Sequence, residues 1–163
     1  MSAAPAIRAV DPLGAHALTL LAQAAAEARA LYPELFAADS PQPTNTPLRP
    51  GEVYLVACLD DVPVACGALR RLDASTAEVR RMFVARDARR RGLARAMLDA
   101  LEQAAVALGY DTLRLETGFR QQPAIALYES AGFARIPPFG AYVGDPTSVC
   151  LARRLPRAPD PAD

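Results

Sequence analysis

"EVRRMFVARDARRRGLARAML", residues 78–98, is the stretch on which the fold turns. It begins inside a strand, "TAEVRRMFV" (76–84), and ends inside a helix that runs from Gly92 to Leu108. The apolar residues of that helix are Leu93, Met97, Leu98, Leu101, Ala104, Ala105 and Leu108, which share one face at i, i+4, i+7 spacing. Arg95 and Asp99 lie on the other side, and Gly109 suits the left-handed residue that ends a helix. Between strand and helix stand Arg89, Arg90, Arg91 and Gly92. A helix N-terminus carries partial positive charge, so arginines crowd there unfavourably unless something negative arrives. The turn presents unpaired N–H groups, Gly92 lets a bulky ligand approach the main chain, and Ala94 is small. Such a turn favours phosphate, and a diphosphate gives the arginines partners. A solvated basic face remains the alternative. The spacing fits neither a Walker loop nor a dinucleotide fingerprint, since one glycine is too few and no Lys-Ser/Thr follows.

Upstream, "AIRAV" (6–10) reads as a short strand and residues 14–32 as an alanine-rich helix. "LFAADSPQPTNTPLRPGE" (35–52) reads as a loop, and a long loop within a compact domain is often functional. "VYLVACLDDVPVACGALRRLD" (53–73) reads as two strands joined at Asp60-Asp61. Downstream, "DTLRLET" (111–117) sets Leu113, Leu115 and Thr117 against Thr112, Arg114 and Glu116, a strand pattern. A helix follows from Gln122 to Ala131, with Pro123 in its first turn and Gly132 at its end. Then come the strand "FARI", the loop "PPFGAYVGDP" and a last strand "SVCLARRL" (148–155). The order is β-α-β-β-β-α-β-α-β-β, which predicts a mixed α/β (α+β) domain over residues 1–155, its sheet covered by helices on both faces. "PRAPDPAD" (156–163) reads as a disordered proline-rich tail.

The 163 residues suit one domain, and 52% hydrophobic with 22% charged residues is ordinary for a globular chain. No apolar run is long enough to span a membrane, and the first residues lack a signal-peptide pattern, so a cytoplasmic location is expected. All 18 basic residues are arginine, which excludes a lysine Schiff base or lysine phosphate clamp. Seven of them fall within residues 80–95 against Asp87 alone, yet the net charge is zero and no aromatics interleave the arginines, which argues against nucleic-acid binding. Cys58, Cys66 and Cys150 read as buried free thiols, and His16 has no second histidine, so no metal site is expected. A homodimer is left open.

"RRRGLA", with Arg89, Gly92 and Ala94 at its key positions, resembles the Arg/Gln-x-x-Gly-x-Gly/Ala signature of the GNAT N-acetyltransferase superfamily. "LYESAGF" (127–133), after "LRLET", resembles the C-terminal motif of the same superfamily. Together with "EVRRMFV", "LETG" and "FGAY", these motifs are similar to small bacterial members, over about Val53 to Leu155. The resemblance implies a seven-stranded, mostly antiparallel twisted sheet whose fourth and fifth strands splay apart, with acetyl-CoA as donor. It also implies that Met82, Phe83 and Val84 run beside the pantetheine arm, and that Arg89, Arg90, Arg91, Gly92, Leu93, Ala94 and Arg95 form the pyrophosphate turn. Gln121 stands where an asparagine often contacts CoA.

Acetyl transfer to an amine needs a base for the ammonium, stabilisation of an oxyanion and an acid for the thiolate. The resemblance implies a glutamate base from the fourth or fifth strand, here Glu78 or Glu116, nearly equal with Glu78 slightly ahead. Each glutamate has an alternative as an ion-pair partner of Arg80, Arg81 or Arg114. It implies Tyr128 as the acid, and the amide of Phe83 or Val84 as the oxyanion donor. Loop 35–52 and residues 137–144 are expected to wall the acceptor site, with Phe139 and Tyr142 as an apolar surface. Arg80 and Arg81 are expected to hold a carboxylate, which points to a small acid-bearing amine such as an amino acid. A protein N-terminus or lysine as acceptor, and a non-catalytic CoA-binding module, are the alternatives.

Overall fold

Alternation in the central strands decides which side chains meet which helix. In the computed structural model, which describes residues 5–157, β1 (Ala6–Ala9), α1 (Ala15–Leu31), β2 (Val53–Leu59), β3 (Val62–Arg71) and β4 (Thr76–Val84) come first. They are followed by α2 (Leu93–Ala107), β5 (Thr112–Gly118), α3 (Gln122–Ser130), β6 (Ala134–Ile136) and β7 (Ser148–Arg154). The seven strands form one sheet in the order β1-β2-β3-β4-β5-β7-β6. Only β4 and β5 pair in parallel, because α2 carries the chain from the end of one back to the start of the other.

One sheet face buries Tyr54, Val56, Cys66 and Ala68 against Ala17 and Leu20 of α1. The opposite face buries Leu55, Ala57, Ala65, Leu69, Leu113 and Leu115 against α2. On β5 the burial alternates, with Leu113, Leu115 and Thr117 inward as the sequence pattern requires. In α2 the buried residues are Leu93, Met97, Leu98, Leu101 and Ala105, and each large apolar chain contributes about 1.5–3 kcal/mol by leaving water. Gly67 of β3 lies under this helix, and a Cβ there would stand 2.7 Å from Leu101 Cδ1. Leu108 departs from the expected face. It is 47% exposed, because it caps the helix beyond the last buried turn. Cys66 and Cys150 are buried free thiols, whereas Cys58 on β2 is only half-buried, with its sulfur 3.6 Å from His16 Nδ1 of α1. From residue 158 on, the expected tail lies outside the described residues.

The Asp60-Asp61 turn places both residues in the left-handed region (φ 49° and 64°), which a two-residue hairpin needs and aspartate tolerates. The 35–52 segment has one 3₁₀ turn, Pro33–Leu35, at its entry and is otherwise irregular. A buried carboxylate fastens its far end. Glu52 accepts from the Arg49 amide (2.8 Å), the Arg49 guanidinium (2.9 Å), Arg70 (3.0 Å) and the Arg71 amide (2.9 Å). Arg70 also donates to the carbonyls of Thr46 and Pro47. Burial alone pushes the Glu52 carboxyl up, but the bonds from Arg49, Arg71 and Arg70 outweigh it and hold the pKa down to about 2. Glu52→Ala is expected to cost about 3 kcal/mol at pH 7 in a denaturant melt, since the Arg49 and Arg71 amides and the Arg49 and Arg70 guanidinium groups lose their shared buried acceptor. A depressed carboxylate pKa stabilises the fold above its unfolded value, about 4.3. That contribution is lost as pH falls toward about 2, so the gap between variant and wild type must close over that window.

Candidate active site

The parallel ladder between β4 and β5 ends at Val79↔Leu115. Beyond that point β4 stays with β3 and β5 stays with β7, so the two strands part. A bulge on β4 marks the same place. Arg81 and Met82 oppose Gly67 alone, and Arg81 takes φ 59°. Two clefts open on the gap and share Met82, Phe83, Gln121, Ala124 and Tyr128.

The first cleft, about 670 Å³, runs from Met82, Phe83 and Val84 to the turn before α2 and to Pro123 and Leu127 of α3. Gly92 caps α2 in the left-handed region (φ 74°), and Arg90, two residues earlier, is left-handed too (φ 64°). Among the described residues, the main-chain N–H groups of Arg90 to Arg95 donate to no protein acceptor. Six such amides at a helix N-terminus, with Arg90 and Gly92 left-handed, make a concave set of donors of the kind that suits an anion. A Cβ on Gly92 would meet nothing within 4 Å, so the turn is open to a ligand. Arg90, Leu93, Ala94 and Arg95 line this cleft, as does Gln121, while Arg91 does not. Arg89 lines it too, but its Nη2 is bidentate on Glu27 at 2.6 Å and its Nε donates to the Val84 carbonyl. This arginine braces the turn against α1. The chemistry of the cleft fits a diphosphate at the turn and an apolar arm along β4.

The second cleft, about 490 Å³, is lined by β4 residues Arg80 and Arg81, by Glu116, Thr117 and Gly118 of β5, and by Tyr128. Its far wall is Leu21, Ala24, Ala25 and Ala28 of α1 with Phe36, Pro41 and Pro43. The i, i+3, i+4, i+7 spacing of those α1 residues was visible in the sequence, as was the small size of the three alanines. Arg80 makes no hydrogen bond or ion pair with the described residues. Arg81 is instead bound to Thr44 and Asn45, so the two adjacent arginines do different things.

The two glutamates are also separated. Glu116 lines the second cleft together with Tyr128. Burial pushes its carboxyl above the usual carboxylate range; the Ser148 hydroxyl opposes this, the Asp145 and Glu78 charges add to it, and Arg80 opposes it. Glu78 is 6% exposed, lines neither cleft and accepts a 2.6 Å hydrogen bond from the Tyr142 hydroxyl. Its partner is therefore neither Arg80, Arg81 nor Arg114. Phe139 and Tyr142, expected in the acceptor wall, line neither cleft; they pack edge to face at 5.3 Å, with Arg114 over the Phe139 ring. Only the 36–43 part of the expected loop wall faces the second cleft.

Tyr128 is nearly buried, packs edge to face on Phe133, and its hydroxyl has no hydrogen-bond partner among the described residues. Burial, and then the Glu116 charge, push its pKa up to about 12. Burial also pushes the Cys66 thiol up to about 11, so it carries no thiolate at neutral pH. Among the described residues there is no group of three or more His, Cys, Asp or Glu placed to hold a metal ion, and no helix long and apolar enough to cross a membrane.

Residues 21–133 match the model of the acetyltransferase (GNAT) family. The chain is 39% identical over 112 residues to an IAA acetyltransferase of Azospirillum brasilense, covering 68% of this chain and 73% of that protein. A Klebsiella pneumoniae structure described as an acyl-CoA N-acyltransferase superposes with TM-score 0.75 at 29% identity, covering 93% of this chain and 97% of the other. A GNAT family acetyltransferase from Elizabethkingia anophelis, solved with acetyl-CoA bound, shares the fold at TM-score 0.66 and 16% identity, covering 93% and 98%.

Proposed function

The chain belongs to the acetyltransferase (GNAT) family and is an acyltransferase, and on that premise we propose that it moves an acetyl group from acetyl-CoA to the primary amine of a small, acid-bearing molecule. The observation that carries this reading is the meeting of the two clefts at Tyr128, with Glu116 on the acceptor side and, at the far end of the donor side, the six amides of Arg90 to Arg95, which meet no acceptor among the described residues. When bound, acetyl-CoA supplies the activated acetyl group. The amides of the turn hold its diphosphate, with Arg90 and Arg95 beside them. Met82, Phe83 and Val84 guide the pantetheine arm, and the main chain there is the candidate oxyanion donor.

Glu116 takes the proton from the acceptor's ammonium. Its raised pKa brings it nearer the working pH, which is what a general base needs. Tyr128 then gives a proton to the leaving sulfur. The Glu116 charge is one of the two causes that hold the phenol's pKa up. Once Glu116 has gained a proton that charge is gone, so Tyr128 becomes a stronger acid at the stage when one is wanted.

Arg80, at the acceptor wall with no partner among the described residues, is the anchor for the acid group. The test is a CoA-release screen over amines, amino acids, peptides and IAA, the compound in the Azospirillum relative's name. Acid-bearing amines are expected to lead, and Arg80→Ala to raise the KM of the best of them about 10-fold or more. A best substrate that is a peptide, or an unchanged KM, overturns the small-acid reading while leaving the acyltransferase intact.

A further inference from the structure

A non-glycine residue in the left-handed region is uncommon and calls for a physical cause. Arg81 is such a residue, with φ 59°, at the bulge where β4 departs from β5. Its Nε donates to Asn45 Oδ1 at 3.0 Å and its Nη2 to the Thr44 carbonyl at 3.1 Å. Its own carbonyl accepts from the Cys66 thiol at 3.0 Å. Asn45 is 6% exposed, and its Nδ2 donates to the Pro12 carbonyl at 2.9 Å and meets the Tyr54 hydroxyl at 3.4 Å. One polar knot thus ties the approach to α1, the 44–45 loop, β2, β3 and the β4 bulge. On one side of it Pro41 and Pro43 wall the acceptor cleft; on the other, Met82 and Phe83 line both clefts.

We propose that Arg81 is a positioning residue: its guanidinium, held by Thr44 and Asn45, fixes the β4 bulge against the 41–45 wall and so sets the width of the slot in which the acceptor meets the strand carrying Met82 and Phe83. It does not hold the acceptor's acid group. The kinetic part of the test rests on the acetyltransferase reading above; the labelling part does not.

Two variants separate the roles. Arg81→Gly keeps the bulge's φ without strain and removes the tether, while Asn45→Ala leaves Arg81 in place and removes its anchor. Cys66 is buried and bonded to the bulge, so its native-state labelling by a thiol reagent reads the bulge directly, with buried Cys150 as internal reference. Both variants are expected to speed Cys66 labelling about 10-fold relative to Cys150. Both are expected to lower kcat/KM about 10-fold, and the double variant no further than the worse single one. The preference for an acid-bearing acceptor over its amide is expected to stay unchanged. Unchanged Cys66 labelling in both variants overturns the proposal, as do strictly additive losses. Loss of the acid preference in Arg81→Gly, but not in Asn45→Ala, also overturns it and assigns Arg81 to the acceptor. If no acceptor is found, the labelling still decides. If Arg81→Gly fails to fold, Arg81→Lys carries the same measurement, since lysine cannot form the two-pronged contact.

Discussion

Glu116→Gln is expected to lower kcat/KM by about 10²–10⁴-fold while raising the melting temperature slightly at neutral pH. The two effects have one cause. A carboxylate whose folded pKa is raised binds protons more tightly in the folded state than in the unfolded one, so stability falls as pH rises through that interval. Glutamine removes the buried charge and with it the penalty. A variant that is less active yet no less stable separates a lost base from a damaged fold. The wild-type acid limb of kcat/KM should lie above the usual carboxylate range, because Glu116 must be ionised to act. Glu78→Gln provides the contrast. Glutamine still accepts the Tyr142 hydrogen bond but no longer adds its charge beside Glu116, so the acid limb should move to lower pH with the rate at neutral pH retained. If Glu78→Gln is the inactive variant and Glu116→Gln is not, the base is Glu78.

Tyr128→Phe is expected to lower kcat by about 10²-fold or more with little change in the affinity for acetyl-CoA. The hydroxyl makes no hydrogen bond with the described residues, so its removal leaves no partner stranded, and the ring keeps its contact with Phe133. Calorimetric binding of acetyl-CoA should therefore be near wild type while turnover collapses. The basic limb of the wild-type profile should lie far into the alkaline range, since burial and Glu116 hold the phenol's pKa at about 12. Turnover within a few-fold of wild type would show that the sulfur leaves without a proton from this residue.

The turn between β4 and α2 was legible because each of its signals is local. A strand pattern stops, arginines stand before a glycine, and an amphipathic helix begins, all within residues 78–98. That the amides of Gly92 to Arg95 meet no acceptor among the described residues follows from helix geometry alone; that those of Arg90 and Arg91 meet none does not. The partners of the charged residues were not legible. Arg89 meets Glu27 across 62 residues, Glu78 meets Tyr142 across 64, and Arg81 meets Asn45 across 36. No periodicity encodes such pairs. Arg80 and Arg81 looked equivalent in sequence and both line the cleft, yet only Arg81, at the bulge, is bound to Thr44 and Asn45 of the loop.

By itself, then, the sequence determined the order of strands and helices, the turn chemistry, the buried face of β5 and most of the buried face of α2, because hydrogen-bonding period and side-chain alternation act over a few neighbouring residues. Only the tertiary structure decided which glutamate lines the cleft, which arginine there has no partner among the described residues, and that Tyr142 donates to Glu78. Those outcomes depend on where β4 and β5 part and on what each distant loop brings to the gap, and burial sets the charge state of a carboxylate only once that packing exists.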